Sequence, residues 1–240
     1  MILGTPKMTK WHDDTADDTM SNTFHVILDG TELVRVKTTK FLGLTIDENL
    51  TWKYHIDNIT KTISCNIGVM NKLKQFIPGR ILYSLYCSLV LPYINYGILV
   101  WGSTCKTYIE KILKLQKWAL RVISNSHYRS HTSPIFVKYN ILNVYDMFKL
   151  ETGVFMYKYS NGSLPAGFKK FFMTRSQIHD YQTRYKDNYN QTKNARLFSD
   201  RSIRTYGPIL WNSLDDVTKN SNSIKHFKNQ YKKYLISIYE

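Results

Sequence analysis

Asp17 and Asp18, in Thr15-Ala16-Asp17-Asp18-Thr19, come nearest in type and spacing to a catalytic device. Adjacent aspartates on a tight hairpin can hold the divalent cations of nucleotidyl transfer, where paired ions stabilise the attacking and leaving oxygens. That chemistry needs carboxylates converging from rigid strands into a dry site. Here His12-Asp13-Asp14 precedes the pair and Met20-Ser21-Asn22 follows it, with no apolar strand on either side. A solvated acidic loop is the expectation. His12, His25, His55, His127, His131, His179 and His226 are scattered, and none stands with a Cys or Ser in a nucleophile arrangement. Cys65, Cys87 and Cys105 are far apart, with no CxxC pair or Cys/His cluster, so the pattern predicts buried free thiols in a reducing compartment rather than zinc. No glycine-rich phosphate loop occurs. The sequence assigns no catalytic residue, no metal site and no cofactor.

The elements that would position a site begin with strands. Phe24–Leu28 and Leu33–Val36 flank Asp29-Gly30, a strong two-residue hairpin signal. Phe41–Ile46 reads as a third short strand. Helical periodicity follows: Leu50, Ile56, Ile59, Ile63, Ile67, Met70 and Leu73 recur mostly at spacings of three and four. Pro78-Gly79 separates this helix from one carrying Ile81, Leu82, Leu85, Leu89, Ile94 and Ile98, which Pro92 should kink or divide and Gly102-Ser103 should stop. A third helix over Lys106–Ser124 has Ile109, Ile112, Leu113, Leu120 and Ile123 on its apolar face. Lys114, Lys117 and Arg121 lie on another face. After a loop over 125–135, Ile135–Tyr159 reads as two helical pieces, and Gly162–Gly167 as a loop. Residues 173–196 read as an extended or partly ordered stretch. Arg204–Pro208 reads as a turn before a short helix. Ser223 caps a last helix with Phe227, Tyr231, Tyr234, Leu235 and Ile238 on one side.

The 240 residues are 43% hydrophobic, enough for a packed core, and include 18 tyrosines and five tryptophans. Most of these aromatics should pack the core, although aromatics also stack on bases. The net charge of +15 is uneven: residues 105–240 carry 23 basic and nine acidic groups. Such a basic half points to a polyanionic partner, most often nucleic acid, with an anionic membrane surface or a plain solvated face as the rivals. Ile81–Trp101 is 21 residues long without a formal charge, about the length that crosses a bilayer. Its serines, tyrosines, Asn95 and Pro92 argue instead for a buried helix and no membrane. No apolar stretch follows Met1, so no signal peptide is expected and an intracellular site, nuclear or cytoplasmic, is.

Several motifs, taken together, carry a resemblance. They are Ile27-Leu28-Asp29-Gly30 with Val34 and Val36, then Phe41-Leu42-Gly43, then Trp52, His55 and Ile56. Leu85–Tyr93, Tyr96-Gly97, Val100-Trp101-Gly102 and Leu115–Ile123 continue the series, and Tyr206-Gly207-Pro208 with Trp211–Leu214 ends it. The set resembles the end of the palm, the thumb and the C-terminal domain of the reverse transcriptases of non-LTR retrotransposons, the LINE or jockey-like class. The resemblance implies that Phe41, Leu42 and Gly43 form a hairpin gripping the primer strand. Gly43 would let the backbone approach a ligand closely, the alternative being a plain hairpin packed on the thumb.

The fold class expected is mainly α, with a small N-terminal β hairpin as palm remnant, a helical thumb bundle and an α-rich basic C-terminal domain. The boundaries expected are 1–47, 48–128 and 129–240. Lys114, Lys117 and Arg121 would contact phosphates, which needs only charge at suitable spacing. Arg196, Arg201 and Arg204, beside Tyr206, suit single-stranded template. A solvated face is the alternative for each set. The aspartate hairpin of the resembled enzymes lies many residues before Phe-Leu-Gly, so Asp17-Asp18 is misplaced for it. The expectation is therefore a fragment of an RNA-directed DNA polymerase that lacks the catalytic aspartates and is inactive alone. It would bind RNA template and DNA primer non-specifically, and the rest of a reverse transcriptase is a further partner. Mg would belong to the complete parent enzyme. The alternatives are a protein-interaction module and a non-functional relic of a mobile element.

Overall fold

The structure, a computed structural model, describes residues 26–179, 184–191 and 202–239. The Asp17-Asp18 loop and Phe24 lie outside the described residues. The described residues divide into two units, the first reaching Val36 and the second starting at Lys37. In the first, β1 (Val26–Leu28) pairs antiparallel with β2 (Thr31–Leu33). Asp29 and Gly30 turn the chain with φ of 49° and 78°. Positive φ at both central residues is what a type I′ turn requires, and Asp-Gly supplies it. Val34 and Val36, expected in the second strand, lie beyond it.

The second unit opens with a hairpin where a single strand over Phe41–Ile46 was expected. β3 (Thr38–Phe41) and β4 (Leu44–Asp47) pair antiparallel, Thr38 opposite Asp47 and Phe41 opposite Leu44. Leu42 and Gly43, with φ of 46° and 80°, make the turn. Gly43 is thus a turn glycine and not a mid-strand one. Asp47 fixes the turn that leads into α1 (Lys53–Leu73). Its Oδ1 accepts from the Thr51 amide and hydroxyl, and its Oδ2 from the Trp52 amide at 2.8 Å. Burial alone would raise this carboxyl, but the bonds from Thr51, Trp52 and Asn49 outweigh it and hold Asp47 below the ordinary aspartate value.

Ile56, Ile59, Ile63, Ile67 and Met70 form the buried face of α1. Leu50 precedes the helix and is exposed, contrary to expectation. The next apolar run is divided, as Pro92 predicted, into α2 (Gly79–Leu89), α3 (Leu91–Asn95) and α4 (Ile98–Trp101). Asn66 on α1 donates to the Leu89 carbonyl at 2.7 Å across the break. The buried stripe is Leu82, Tyr86, Val90, Ile94 and Ile98, at a strict spacing of four, while Ile81 is exposed and Leu85 and Leu89 are half-buried. Among the described residues, no helix is long and apolar enough to cross a membrane. Cys65 is exposed and Cys87 and Cys105 are half-buried, so the expectation of buried thiols fails.

α5 (Lys106–Ile123), α6 (Ser133–Lys138) and α7 (Val144–Ser160) follow. Short 3-10 turns at Ala166–Phe168 and Arg175–Gln177 lead to α8 (Ile203–Ser213), α9 (Asp216–Lys219) and α10 (Ile224–Ser237). Arg204–Pro208, expected as a turn, lies inside α8. Pro208 deprives the Arg204 carbonyl of its i+4 donor. Packing carries the helix through: Gly207 and Pro208 are buried, with Met156 and Phe172 where a Gly207 side chain would go. Asn212 grips the neighbouring chain, accepting from the Tyr189 amide at 3.1 Å and donating to its carbonyl at 2.8 Å. Thr174 bridges to Tyr189, so the described parts of the 173–196 stretch are pinned rather than loose.

Ser223 caps α10 by accepting from the His226 amide, as predicted. Phe227, Tyr231 and Leu235 face the core with Ile236, while Tyr234 and Ile238 are exposed and leave the predicted face. One hydrophobic core runs from Trp52 to Ile236. Gln116, fully buried on α5, ties its parts together. Its Nε2 donates to Tyr86 Oη at 3.0 Å and to the Leu142 carbonyl at 2.9 Å, and its Oε1 accepts from the Val144 amide at 3.0 Å. The expected boundaries at 47/48 and 128/129 both fall inside this second unit.

Candidate nucleic-acid interface

The β3–β4 hairpin presents Phe41 and Leu42, which are 62% and 73% exposed. Tyr96, between α3 and α4, fixes the shape of the turn by donating its hydroxyl to the Leu42 carbonyl. A Cβ on Gly43 would lie 3.3 Å from the Tyr96 ring. Tyr96 therefore occupies the space expected to admit a ligand at Gly43. Gly97, with φ of 64°, completes the seat, since a Cβ there would lie 2.9 Å from Leu44. Tyr96 was legible only as part of a motif; its contact with the hairpin was not.

Behind the hairpin, His55 is buried between Trp52 and Trp101. Its Nδ1 accepts from the Thr45 amide at 3.4 Å, which places the neutral ring's proton on Nε2, where no partner stands among the described residues. Burial pushes its pKa down, so it is neutral. Its surroundings make it a packing histidine that couples β4 to α1.

Lys114, Lys117 and Arg121 lie along α5 as the spacing predicted. Lys114 is exposed, while Lys117 and Arg121 are half-buried. Lys111, on the same helix, is ion-paired with Asp57 at 2.7 Å. Neither Lys114 nor Lys117 has a carboxylate partner among the described residues. From Lys111 to Tyr145 the sequence contains no acidic residue at all. Arg121 differs from its neighbours, because its Nε donates to the Ser130 carbonyl at 3.0 Å and holds the loop after α5.

Of the second predicted basic set, Arg204 alone lies among the described residues. Arg196 and Arg201 lie outside the described residues. Arg204 is exposed, with its guanidinium 4.4 Å from the centre of the Phe171 ring. Tyr206 meets Phe148 edge-on at 5.7 Å. The two side chains therefore engage different neighbours. Tyr206 lines a cleft of about 910 Å³ with Phe148, Tyr231, Tyr234 and Ile238. Of its lining lysines, Lys149 pairs with Asp146 at 2.8 Å and Lys106 with Glu110 at 3.9 Å, unlike Lys114 and Lys117 on α5.

The curated proteins to which the chain is similar are RNA-directed DNA polymerases of mobile elements. The polymerase from mobile element jockey of Drosophila melanogaster is 33% identical over 113 residues, 46% of this chain and 12% of that protein. Its counterpart in Drosophila funebris is 30% identical over 115 residues, again 46% of this chain and 12% of the relative. A probable polymerase from transposon BS of Drosophila melanogaster is 30% identical over 104 residues, 42% of this chain and 12% of the relative. Over the matched stretch the chain is similar to these polymerases, and it spans about an eighth of their length. No protein-family model matches the sequence, and no solved structure is similar to it.

Proposed function

We propose that this chain holds nucleic acid without reading its sequence, as the thumb portion of a jockey-type RNA-directed DNA polymerase holds primer and template. The observation that carries the reading is the α5 face, where Lys114 and Lys117 stand without carboxylate partners among the described residues, in a stretch of sequence free of acidic residues. Unpaired cations spaced along one helix suit successive phosphates and carry no base information. The exposed Phe41-Leu42 tip would touch the same nucleic acid, on a hairpin braced by Tyr96. Binding RNA template and DNA primer, the rest of a reverse transcriptase as partner, and Mg in the complete enzyme all belong to this proposal. Alone, the chain binds primer-template and does not extend it. Metal-dependent primer extension by the purified chain would overturn that part.

A second reading, a protein-docking module, draws support from the aromatic cleft, whose rim lysines are already paired. Salt separates the two. Phosphate binding weakens steeply as salt rises, because neutralised phosphates release counterions, and an apolar interface does not.

A further inference from the structure

The loop after α5 is tied down at both ends by one residue. The Arg121 carbonyl accepts from the Ser126 amide at 3.0 Å, and the Arg121 Nε donates to the Ser130 carbonyl at 3.0 Å. Asn125, at φ 50°, turns the chain out of the helix, and the Ser124 and Ser126 hydroxyls are 2.8 Å apart. Within the loop the Ser130 amide donates to the His127 carbonyl at 2.9 Å, and the Arg129 amide to His127 Nδ1 at 3.3 Å. This tight turn carries Tyr128 at its corner, and the ring has no core to enter: Tyr128 is 66% exposed. The Arg129 guanidinium lies 5.1 Å from its ring centre, and the His127 ring 4.5 Å away. An aromatic side chain in water is ordinarily a cost. Here a braced loop displays one, beside a guanidinium and an imidazole ring, in a segment without a carboxylate.

We infer that this loop, residues 125–131, is a stacking site for single-stranded nucleic acid, with Tyr128 as the platform for a base and Arg129 as the phosphate contact. The inference rests on the nucleic-acid reading above and narrows it to a ligand class. Bases in a duplex are stacked on one another and offer no free face, whereas unpaired bases stack on aromatic rings and guanidinium planes. Such stacking tolerates any base, in keeping with binding that reads no sequence. Arg121 acts here as a positioning residue, holding the loop rather than the ligand.

The test is fluorescence anisotropy with the full chain, a labelled oligouridine and a labelled duplex of equal length, titrated over salt. Tyr128→Ala should weaken oligouridine binding roughly tenfold, leave duplex binding unchanged and keep the salt slope. Tyr128→Phe should bind as the parent does. Arg129→Ala should reduce the single-strand slope by about 0.7, one phosphate contact. Because Tyr128 is exposed, its Ala variant should melt with the parent, and this is checked by circular dichroism. Unchanged oligouridine binding by Tyr128→Ala, or equal weakening on both ligands, overturns the inference. Binding of the parent to duplex alone overturns it while leaving the broader function standing. Binding to neither ligand overturns both.

Discussion

Replacing Gln116 with leucine should cost the second unit a large share of its stability. The side chain is fully buried, and it is the hydrogen-bond partner of three groups that are themselves buried: the Tyr86 hydroxyl, the Leu142 carbonyl and the Val144 amide. Leucine nearly preserves the volume, so the cost is mainly that of stranded polar groups. Each stranded buried donor or acceptor costs roughly 1–3 kcal/mol. With partial relaxation, Gln116→Leu should lose about 3–5 kcal/mol, against a typical total of about 5–15 kcal/mol. In urea, with a slope of about 2 kcal/mol per molar, the midpoint should fall by about 2 M. Lys114→Leu, two residues away on the exposed side of the same helix, serves as the control and should stay within about 0.5 kcal/mol of the parent. Gln116 joins α5 to α2 and to the start of α7, so the whole transition should move together. A loss below about 1 kcal/mol, or a shift confined to one of two separate transitions, would mean that these hydrogen bonds do not hold the unit together.

Other substitutions probe the hairpin, the buried histidine and the basic face. Gly97→Ala forces a side chain to φ 64° and to 2.9 Å from Leu44; it should cost about 1–2 kcal/mol by denaturant melting, with faster proteolysis at the hairpin. His55 has a folded-state pKa below its ordinary 6.5, so the unfolded chain takes up its proton first. Its contribution to stability should be intact above pH 6.5 and decline as pH falls from there toward the folded value, and His55→Leu should flatten that limb of a stability–pH profile. Lys114→Ala and Lys117→Ala should each weaken duplex binding and lower the magnitude of the salt slope by about 0.9.

Much of the helical fold was legible because its signals are local. The threes and fours of Ile56, Ile59, Ile63, Ile67 and Met70, the break at Pro92 and the Ser223 cap each act within a turn or two of chain. Leu42-Gly43 was a local signal too, but an apolar first residue hid a two-residue turn that Asn or Asp would have announced. What tertiary contact decides was not legible. Pro208 sits in a helix because Gly207 and its neighbours are packed. Tyr234 turns outward because the α10 core face is centred on Phe227, Tyr231 and Leu235. On the candidate interface, the spacing of Lys114, Lys117 and Arg121 placed them on one helix. It could not separate the two unpaired lysines from the arginine that braces a loop, because that bond depends on where the chain returns after the helix ends.

The proposed grip on nucleic acid rests on Lys114 and Lys117 of α5, which have no carboxylate partner among the described residues. Its most direct test is the binding of the purified chain to a labelled RNA–DNA primer-template across a salt series. With Lys114, Lys117 and one further cation on phosphates, the plot of log affinity against log salt should fall with a slope of roughly −3, and Lys114→Ala should flatten it. A folded chain that fails to bind, or that binds with no dependence on salt, would contradict the account.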